Sequence, residues 1–312
     1  MSIRYIIVGL GNIGTKRLHI LGSRCVATVD LVNPKADYRQ IEQIPLDQFD
    51  AAVLCVPNQV KLELLNKLLT LGKHVLVEKP LLFPDLATAQ TLESLANDTK
   101  TVCYTSYNHR FEPLIGRLKE LLDQEVIGAV YHVRMVYGNG TVQNCVGTWR
   151  EAGWGVLEDL GCHLIDLTAF LFNYTSSEYL LWEASPLESR VFDHCIFATA
   201  DRKIVLECAT TMWKNTFTVD IWGQLGSLHL RGLCKWGPST LVRRQRVFPS
   251  GVPIETREVV EQADRTWHRD TCEFEHCIKS RKTSFASDLR ISRSLQGLAQ
   301  SARGLNENLE VP

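Results

Sequence analysis

A short apolar run, Tyr5-Ile6-Ile7-Val8, leads into Gly9-Leu10-Gly11-Asn12-Ile13-Gly14 and then into a helical pattern, and a second apolar run, Cys25-Val26-Ala27-Thr28-Val29, ends on Asp30. That order constrains the fold more than the glycines do alone. In a βαβ unit that holds a dinucleotide, the first glycine makes the tight turn and the second lets backbone approach the pyrophosphate. The third lets helix and strand pack closely, and an acidic residue about 20 positions on accepts the ribose hydroxyls. Gly9, Gly11, Gly14 and Asp30 stand at these places, so the segment is expected to bind a dinucleotide. The alternative is a turn whose glycines serve packing only.

The remaining composition narrows the class. At 312 residues and 45% hydrophobic content the chain has core enough for two domains. A net charge of −1, with Lys and Arg scattered rather than striped, argues against nucleic acid and against an anionic membrane surface, and favours a small neutral or anionic ligand. The ten cysteines form no CxxC pair and lie mostly in apolar runs, the usage of reduced, buried thiols in a cytoplasmic protein. No basic-then-apolar leader precedes the first strand, and no apolar run reaches the roughly 18 residues of a membrane span.

Along the chain, the first third alternates strand and helix, with strands expected at 5–8, 25–30, 51–55, 74–77 and 101–104 and helices at 13–21, 61–71 and 85–96. This is the pattern of a doubly wound parallel sheet. After Gly128 the texture changes to β-branched and aromatic runs at 130–137, 191–200, 203–210, 216–222, 226–230 and 239–248, which read as a largely antiparallel sheet. Helices are expected at 157–172, 266–280 and 289–305. The expected architecture is therefore α/β plus α+β: an N-terminal Rossmann domain over 1–122 and a mixed, largely antiparallel open-sheet domain over 123–312.

Two further segments carry chemistry. In Val75-Leu76-Val77-Glu78-Lys79-Pro80 a lysine follows a buried strand at the carboxyl edge of the parallel sheet, where an ammonium can bond a substrate hydroxyl and lower its pKa. Pro80 restricts the backbone of Lys79 to extended conformations and so aims the side chain; a solvated loop lysine is the other reading. In Leu157-Glu158-Asp159-Leu160-Gly161-Cys162-His163-Leu164-Ile165-Asp166, Asp159 and His163 are four apart and share a helix face. The imidazole is suited to carry the proton of a secondary alcohol, with the carboxylate orienting it. A core histidine with Asp159 as a helix cap fits these residues equally well.

Together these segments, with CVPN at Cys55–Asn58, GKHVLVEKP at Gly72–Pro80, YNHRFEP at Tyr107–Pro113 and TWREAGWGVLEDLGCHLIDL at Thr148–Leu167, give a chain that resembles the glucose–fructose oxidoreductase, inositol dehydrogenase and rhizopine-catabolism (Gfo/Idh/MocA) family. The resemblance implies catalytic positions at Lys79, Asp159 and His163. It implies cofactor contacts at Gly9, Gly11, Asn12, Ile13, Gly14, Asp30, Pro57, Asn58, Glu78, Lys79 and Asn108. Substrate contacts would come from Lys79, Arg110, Trp149, Arg150, Trp154, Asp159 and His163. It further implies NAD as cofactor, with NADP possible because Lys35 and Arg39 lie downstream of Asp30, a sugar or polyol as substrate, and assembly into homodimers or homotetramers.

The expected reaction is reversible hydride transfer between nicotinamide C4 and a carbon of a polyol, sugar or nucleotide-linked sugar. His163 takes the hydroxyl proton during oxidation while Lys79 polarises that oxygen and Asp159 orients the pair. Which group is the formal base stays open, since coupled groups share their protons. Two other activities of the family stay open: an NAD-retaining glycosidase or eliminase, and a sugar-sensing regulator without catalysis. The chain departs from the family at Lys61, where many relatives carry His, with consequences for cofactor grip, and at Trp154, where many carry glycine, with consequences for the substrate mouth. His109, between Asn108 and Arg110, reads as a ligand or as a satisfied loop residue, the latter preferred. Cys272-Glu273-Phe274-Glu275-His276-Cys277 does not match a zinc spacing, so no metal is expected.

Overall fold

The computed structural model describes residues 2–151 and 153–307, without the side chains of Trp149 and of residues 303–307. Contacts divide the chain into two units, one of residues up to Asn108 together with Thr266–Ser292, the other of His109–Arg265 together with the chain from Arg293 onward.

In the first unit, β1 (Tyr5–Val8), β2 (Cys25–Val29), β3 (Ala51–Leu54), β4 (His74–Glu78) and β5 (Cys103–Ser106) form a parallel sheet in the order β2-β1-β3-β4-β5. All four residues of β1 and of β3 are buried, the near-continuous apolar runs of strands covered on both faces. Alternate residues of β1 feed two cores. Ile6 and Val8 pack with Leu65, Leu68 and Leu69 of α2 (Asn58–Thr70), with Leu92 of α3 (Leu86–Asp98) and with Phe285. Tyr5 and Ile7 pack with Leu21 of α1 (Asn12–Leu21) and, from far along the chain, with Phe274 of α6 (Thr266–Ser280). A helix some 250 residues downstream thus completes the second face of the Rossmann sheet, and it accounts for the return of Thr266–Ser292 to this unit.

The second unit holds α4 (Pro113–Asp123) and an eight-stranded sheet in the order β13-β12-β11-β10-β6-β9-β8-β7, formed by β6 (Val130–Gly138), β7 (Tyr179–Ser185), β8 (His194–Thr199), β9 (Ile204–Ala209), β10 (Thr216–Gly223), β11 (Gly226–Arg231), β12 (Ser239–Val247) and β13 (Gly251–Val260). Every pairing is antiparallel except β6 with β9, so the sheet is mixed and largely antiparallel, as the sequence leads one to expect. Phe217, Val219 and Ile221 of β10 alternate inward with polar neighbours outward. The helix α5 (Cys162–Phe172) packs on β6, and α4 packs on β11 and β12. The last helix, α7, runs from Ala286 to Glu307.

Two strands had no sequence signal. In β13 every residue but the last is exposed, so there is no one-sided burial to read, and β7 carries a bulge between Leu181 and Glu183 that breaks the alternation. Leu122, where the sequence reading placed the domain boundary, lies inside α4.

Candidate active site

The glycines of the first turn divide by geometry. Gly9 has φ +92°, and a Cβ there would meet the Cys55 carbonyl oxygen at 2.3 Å; a Cβ on Gly14 would meet the Gly9 carbonyl oxygen at 1.9 Å. Both are glycine because the protein itself fills the space. Gly11 is different: its φ of −84° suits any residue, and a Cβ would meet nothing within 4 Å. Its missing side chain serves no packing need of the chain, and it sits as the N-cap of α1 with no capping side chain and no acidic residue in the first turn. The positive end of the helix is thus uncapped by any side chain and open where a Cβ would project, a cradle that fits a pyrophosphate. Asn12 is exposed and Ile13 half-buried beside it, and a cleft of about 520 Å³ runs past Gly11, Asn12, Thr15, Asn33 and Lys35. Gly11→Val is accordingly expected to weaken NAD binding at least about tenfold with an unchanged unfolding midpoint, measured by titration and thermal melting; a lowered midpoint with full binding would show that Gly11 serves packing instead.

Asp30 follows β2. Its Oδ2 accepts from Leu10 N at 2.7 Å, and its Oδ1 accepts from Val32 N at 2.9 Å and Asn33 N at 2.8 Å. Burial alone would raise its pKa, but these N–H donors, with Arg39 nearby, hold the carboxyl below its usual range. Arg39 spends Nη1 on the carbonyl oxygens of Asp30 and Asn33, at 3.1 and 2.7 Å.

At the carboxyl end of β4 two buried cations fix the backbone around Lys79. Lys61, 2% exposed, donates from Nζ to the Glu78 carbonyl oxygen at 2.5 Å and to the Pro80 carbonyl oxygen at 2.8 Å. The family departure at Lys61 is thus a clamp on the two carbonyls that flank Lys79, whose peptide bond to Pro80 is cis. Arg17 of α1 donates to the Glu78 carboxylate at 2.8 Å and to Asp270 at 2.7 Å, with a further bond to Ser106 Oγ at 2.7 Å. Lys79 itself is half-buried. Asn58 opens α2 after the exposed Pro57, and Asn108 donates to Thr266 Oγ1 at 3.0 Å. Neither Arg17 nor Asp270 is distinguishable in the sequence, because their partners lie 61 and 253 residues away from Arg17.

In the second unit the stretch expected as one α-helix begins instead as a π-helical turn, Leu157–Gly161, with Cys162 N bonded to the Leu157 carbonyl oxygen, and becomes α-helical only from Cys162. Such wide turns recur at functional sites. Its start is set by Gly155, φ +56°, where a Cβ would meet the Phe192 carbonyl oxygen at 2.2 Å, and by the bond from Val156 N to that same oxygen at 2.7 Å. Asp159, half-buried, lies on the π turn and His163, 4% exposed, on the first turn of α5, so a change of helical pitch separates the two.

His163 Nδ1 lies 2.8 Å from Nδ1 of His109, which is 2% exposed. The residue for which a satisfied loop position is the preferred sequence reading is the direct partner of the candidate proton carrier. Arg110 makes a two-point ion pair with Asp166, through Nε to Oδ2 at 2.8 Å and through Nη2 to Oδ1. Asp166 is 1% exposed, so the pair anchors Arg110 while leaving part of its guanidinium at the surface. Trp154 and Arg150 are half-buried, and the side chain of Trp149 lies outside the described residues.

Near His109, ligand atoms of Glu112, Cys234 and Asp264 gather within 4.8 Å of one another. Cys234 N donates to Glu112 Oε2 at 3.1 Å, and the Lys235 charge acts on the same carboxylate against the larger effect of burial. Burial pushes Glu112 above the usual carboxylate range, and burial with the adjacent Glu112 pushes the Cys234 thiol up to about 12.

Profiles of known families match both halves of the chain. The oxidoreductase family with an NAD-binding Rossmann fold matches residues 3–107, and the GFO/IDH/MocA C-terminal domain matches residues 115–229. Relatives include the uncharacterized oxidoreductase YdgJ of Escherichia coli K12, 29% identical over 59% of this chain and 54% of that protein. Another is the trans-1,2-dihydrobenzene-1,2-diol dehydrogenase of Xenopus laevis, 28% identical over 72% and 68%. The inositol 2-dehydrogenase of Rhizobium meliloti is 25% identical over 55% of each chain. The chain spans about half the length of most of the curated relatives it matches.

Among solved structures, levoglucosan dehydrogenase in complex with NADH superposes with a TM-score of 0.78 at 17% identity, covering 97% of this chain and 98% of that one. An oxidoreductase domain protein from Kribbella flavida gives 0.82 at 19% identity, covering 98% of each chain. No helix among the described residues is long and apolar enough to cross a membrane. With both of its domains matched in order, this chain belongs to the Gfo/Idh/MocA family of NAD-binding oxidoreductases.

Proposed function

We propose that the protein is an NAD(P)-dependent dehydrogenase or reductase acting on a secondary alcohol or ketone of a sugar, polyol or nucleotide-linked sugar. The observation that carries this reading is the Gly11 cradle at the N-terminus of α1, open where a Cβ would project and followed by Asp30 at the end of β2. The names of relatives, inositol 2-dehydrogenase and levoglucosan dehydrogenase among them, support the substrate class.

In this reading Gly9, Gly11, Asn12, Ile13 and Gly14 hold the pyrophosphate, and Asp30 holds the ribose. Pro57, Asn58, Glu78 and Asn108 serve the remainder of the cofactor. Bound NAD supplies a hydride acceptor at nicotinamide C4. Lys79 polarises the substrate oxygen, His163 exchanges that oxygen's proton, and Asp159 orients the exchange. Arg110, held by Asp166, contacts substrate hydroxyls, with Trp149, Arg150 and Trp154 as further contacts.

The carboxylate of Asp30 favours NAD over NADP, because it accepts from ribose hydroxyls and repels a 2′-phosphate. Arg39 gives Nη1 to the carbonyl oxygens of Asp30 and Asn33, which supports the same preference. NAD is therefore expected to bind at least about tenfold more tightly than NADP, and Asp30→Ser to narrow that gap; tighter binding of NADP by the unaltered protein would overturn the assignment. The function is tested by adding sugars, polyols and nucleotide sugars to the protein with NAD and following the reduced-nicotinamide absorbance. Tightly retained NAD with bond cleavage and no net absorbance change would point to the eliminase activity instead.

A further inference from the structure

Beyond His163 the second unit contains a buried chain of nitrogens. His163 Nδ1 meets His109 Nδ1 at 2.8 Å, and His109 Nε2 meets Lys235 Nζ at 3.3 Å. Lys235 follows β11, in the short helical turn Cys234–Trp236, and is partly exposed. Its surroundings are those of a cation. Nζ donates to the Tyr137 hydroxyl at 3.2 Å and lies 4.7 Å from the centre of the Trp236 ring, and its charge acts on Glu112. Burial, with Asp159, Cys162 and Glu112 nearby, holds the Tyr137 phenol well above its ordinary pKa, so that hydroxyl stays neutral and able to accept.

An ammonium has three N–H groups and no lone pair, so His109 Nε2 must be the acceptor. A neutral imidazole that accepts at Nε2 carries its proton on Nδ1. His109 therefore donates from Nδ1, His163 accepts at Nδ1, and neutral His163 is left with its proton on Nε2. We infer that Lys235 and His109 are positioning residues that hold His163 as the Nε2–H tautomer, so that the resting site presents a proton donor to a substrate carbonyl. The inference rests on the assignment of proton exchange to His163, and it gives that assignment a direction: the resting protein is set for reduction of a ketone.

The proton balance closes along the same chain. As the carbonyl oxygen takes the Nε2 proton of His163, Nδ1 of His163 takes the Nδ1 proton of His109. Nε2 of His109 takes one from Lys235, leaving a neutral amine; once product has left, Nε2 of His163 takes a proton from water and each proton shifts back one place, restoring the ammonium and both resting tautomers. Oxidation is the exact reverse and must begin with the chain one proton poorer.

The test reads ring nitrogens directly and needs no substrate. In protein labelled with 15N-histidine at about pH 8, where ordinary imidazoles are neutral, His109 is expected to show Nδ1–H and His163 Nε2–H, the signals being identified by their loss in His109→Gln and His163→Gln. Lys235→Met removes the donor to His109, and both rings are expected to lose the single tautomer. Lys235→Arg, which also donates without accepting, restores it. His163 protonated on Nδ1 in the unaltered protein would overturn the inference, and so would tautomers unchanged in Lys235→Met. Should that variant not fold, the unaltered spectrum alone decides. The role of His163 in turnover is tested separately by His163→Ala with a verified substrate, so the two readings fail independently.

Discussion

Lys79→Ala is expected to lower turnover by about 10²- to 10⁴-fold and to leave NAD affinity within about threefold, the signature of lost acid–base help rather than lost binding. The expectation comes from how much structure is devoted to this one backbone position. Lys61 spends a fully buried ammonium on the carbonyl oxygens on either side of Lys79, and Arg17 holds the carboxylate of the preceding Glu78. Burying an ammonium costs several kcal/mol unless it is well bonded, which makes two buried cations an improbable way to support a loop lysine that only meets water. His163→Ala is expected to cost a similar factor, through the loss of the ring that His109 orients. Either variant retaining near-normal turnover on a verified substrate would remove that residue from the mechanism. Titration of NAD into the same samples separates a catalytic loss from a collapse of the cofactor site.

Much of the fold is legible in the sequence because it depends on local pattern. Tyr5–Val8, Gly9–Gly14 and Asp30 read as a βαβ unit without any long-range information, and the β-branched runs after Gly128 read as strands because one side of each is buried. The features that escape are those whose cause is remote or whose period is ambiguous. A π turn of five residues cannot be told from an α turn by apolar spacing, so Leu157–Gly161 looks like the first turn of α5. Polar β13 offers no alternation. His109 gains its meaning only from His163, 54 residues on, and from Lys235, 126 residues on. The carry-over of Arg110 as a substrate contact likewise says nothing of Asp166, which decides how the guanidinium is held.

The second large effect concerns stability. Arg17→Met is expected to destabilise the protein by about 3–5 kcal/mol, measured as the shift of its denaturant-unfolding transition. Arg17 is 1% exposed and sits among Glu78, Asp270, Ser106 and Thr271, with its guanidinium 4.7 Å from the centre of the Trp267 ring. Burial alone would lower its pKa, but the two carboxylates reverse that and keep it charged. Methionine nearly fills the volume, so the cost is not a cavity. It is the exposure of two carboxylates, 8% and 0% exposed, to one another with no cation between them. Asp270 keeps bonds from Tyr104 Oη at 3.0 Å and Ser106 Oγ at 2.7 Å, which moderates the loss without removing the charge. One consequence separates this account from simple mispacking. Arg17→Met with Asp270→Asn should cost less than the two single changes added together, because the second change removes one of the orphaned charges. Additive costs would show that Arg17 acts by filling space, and would also weaken the case that it positions Glu78 beside Lys79.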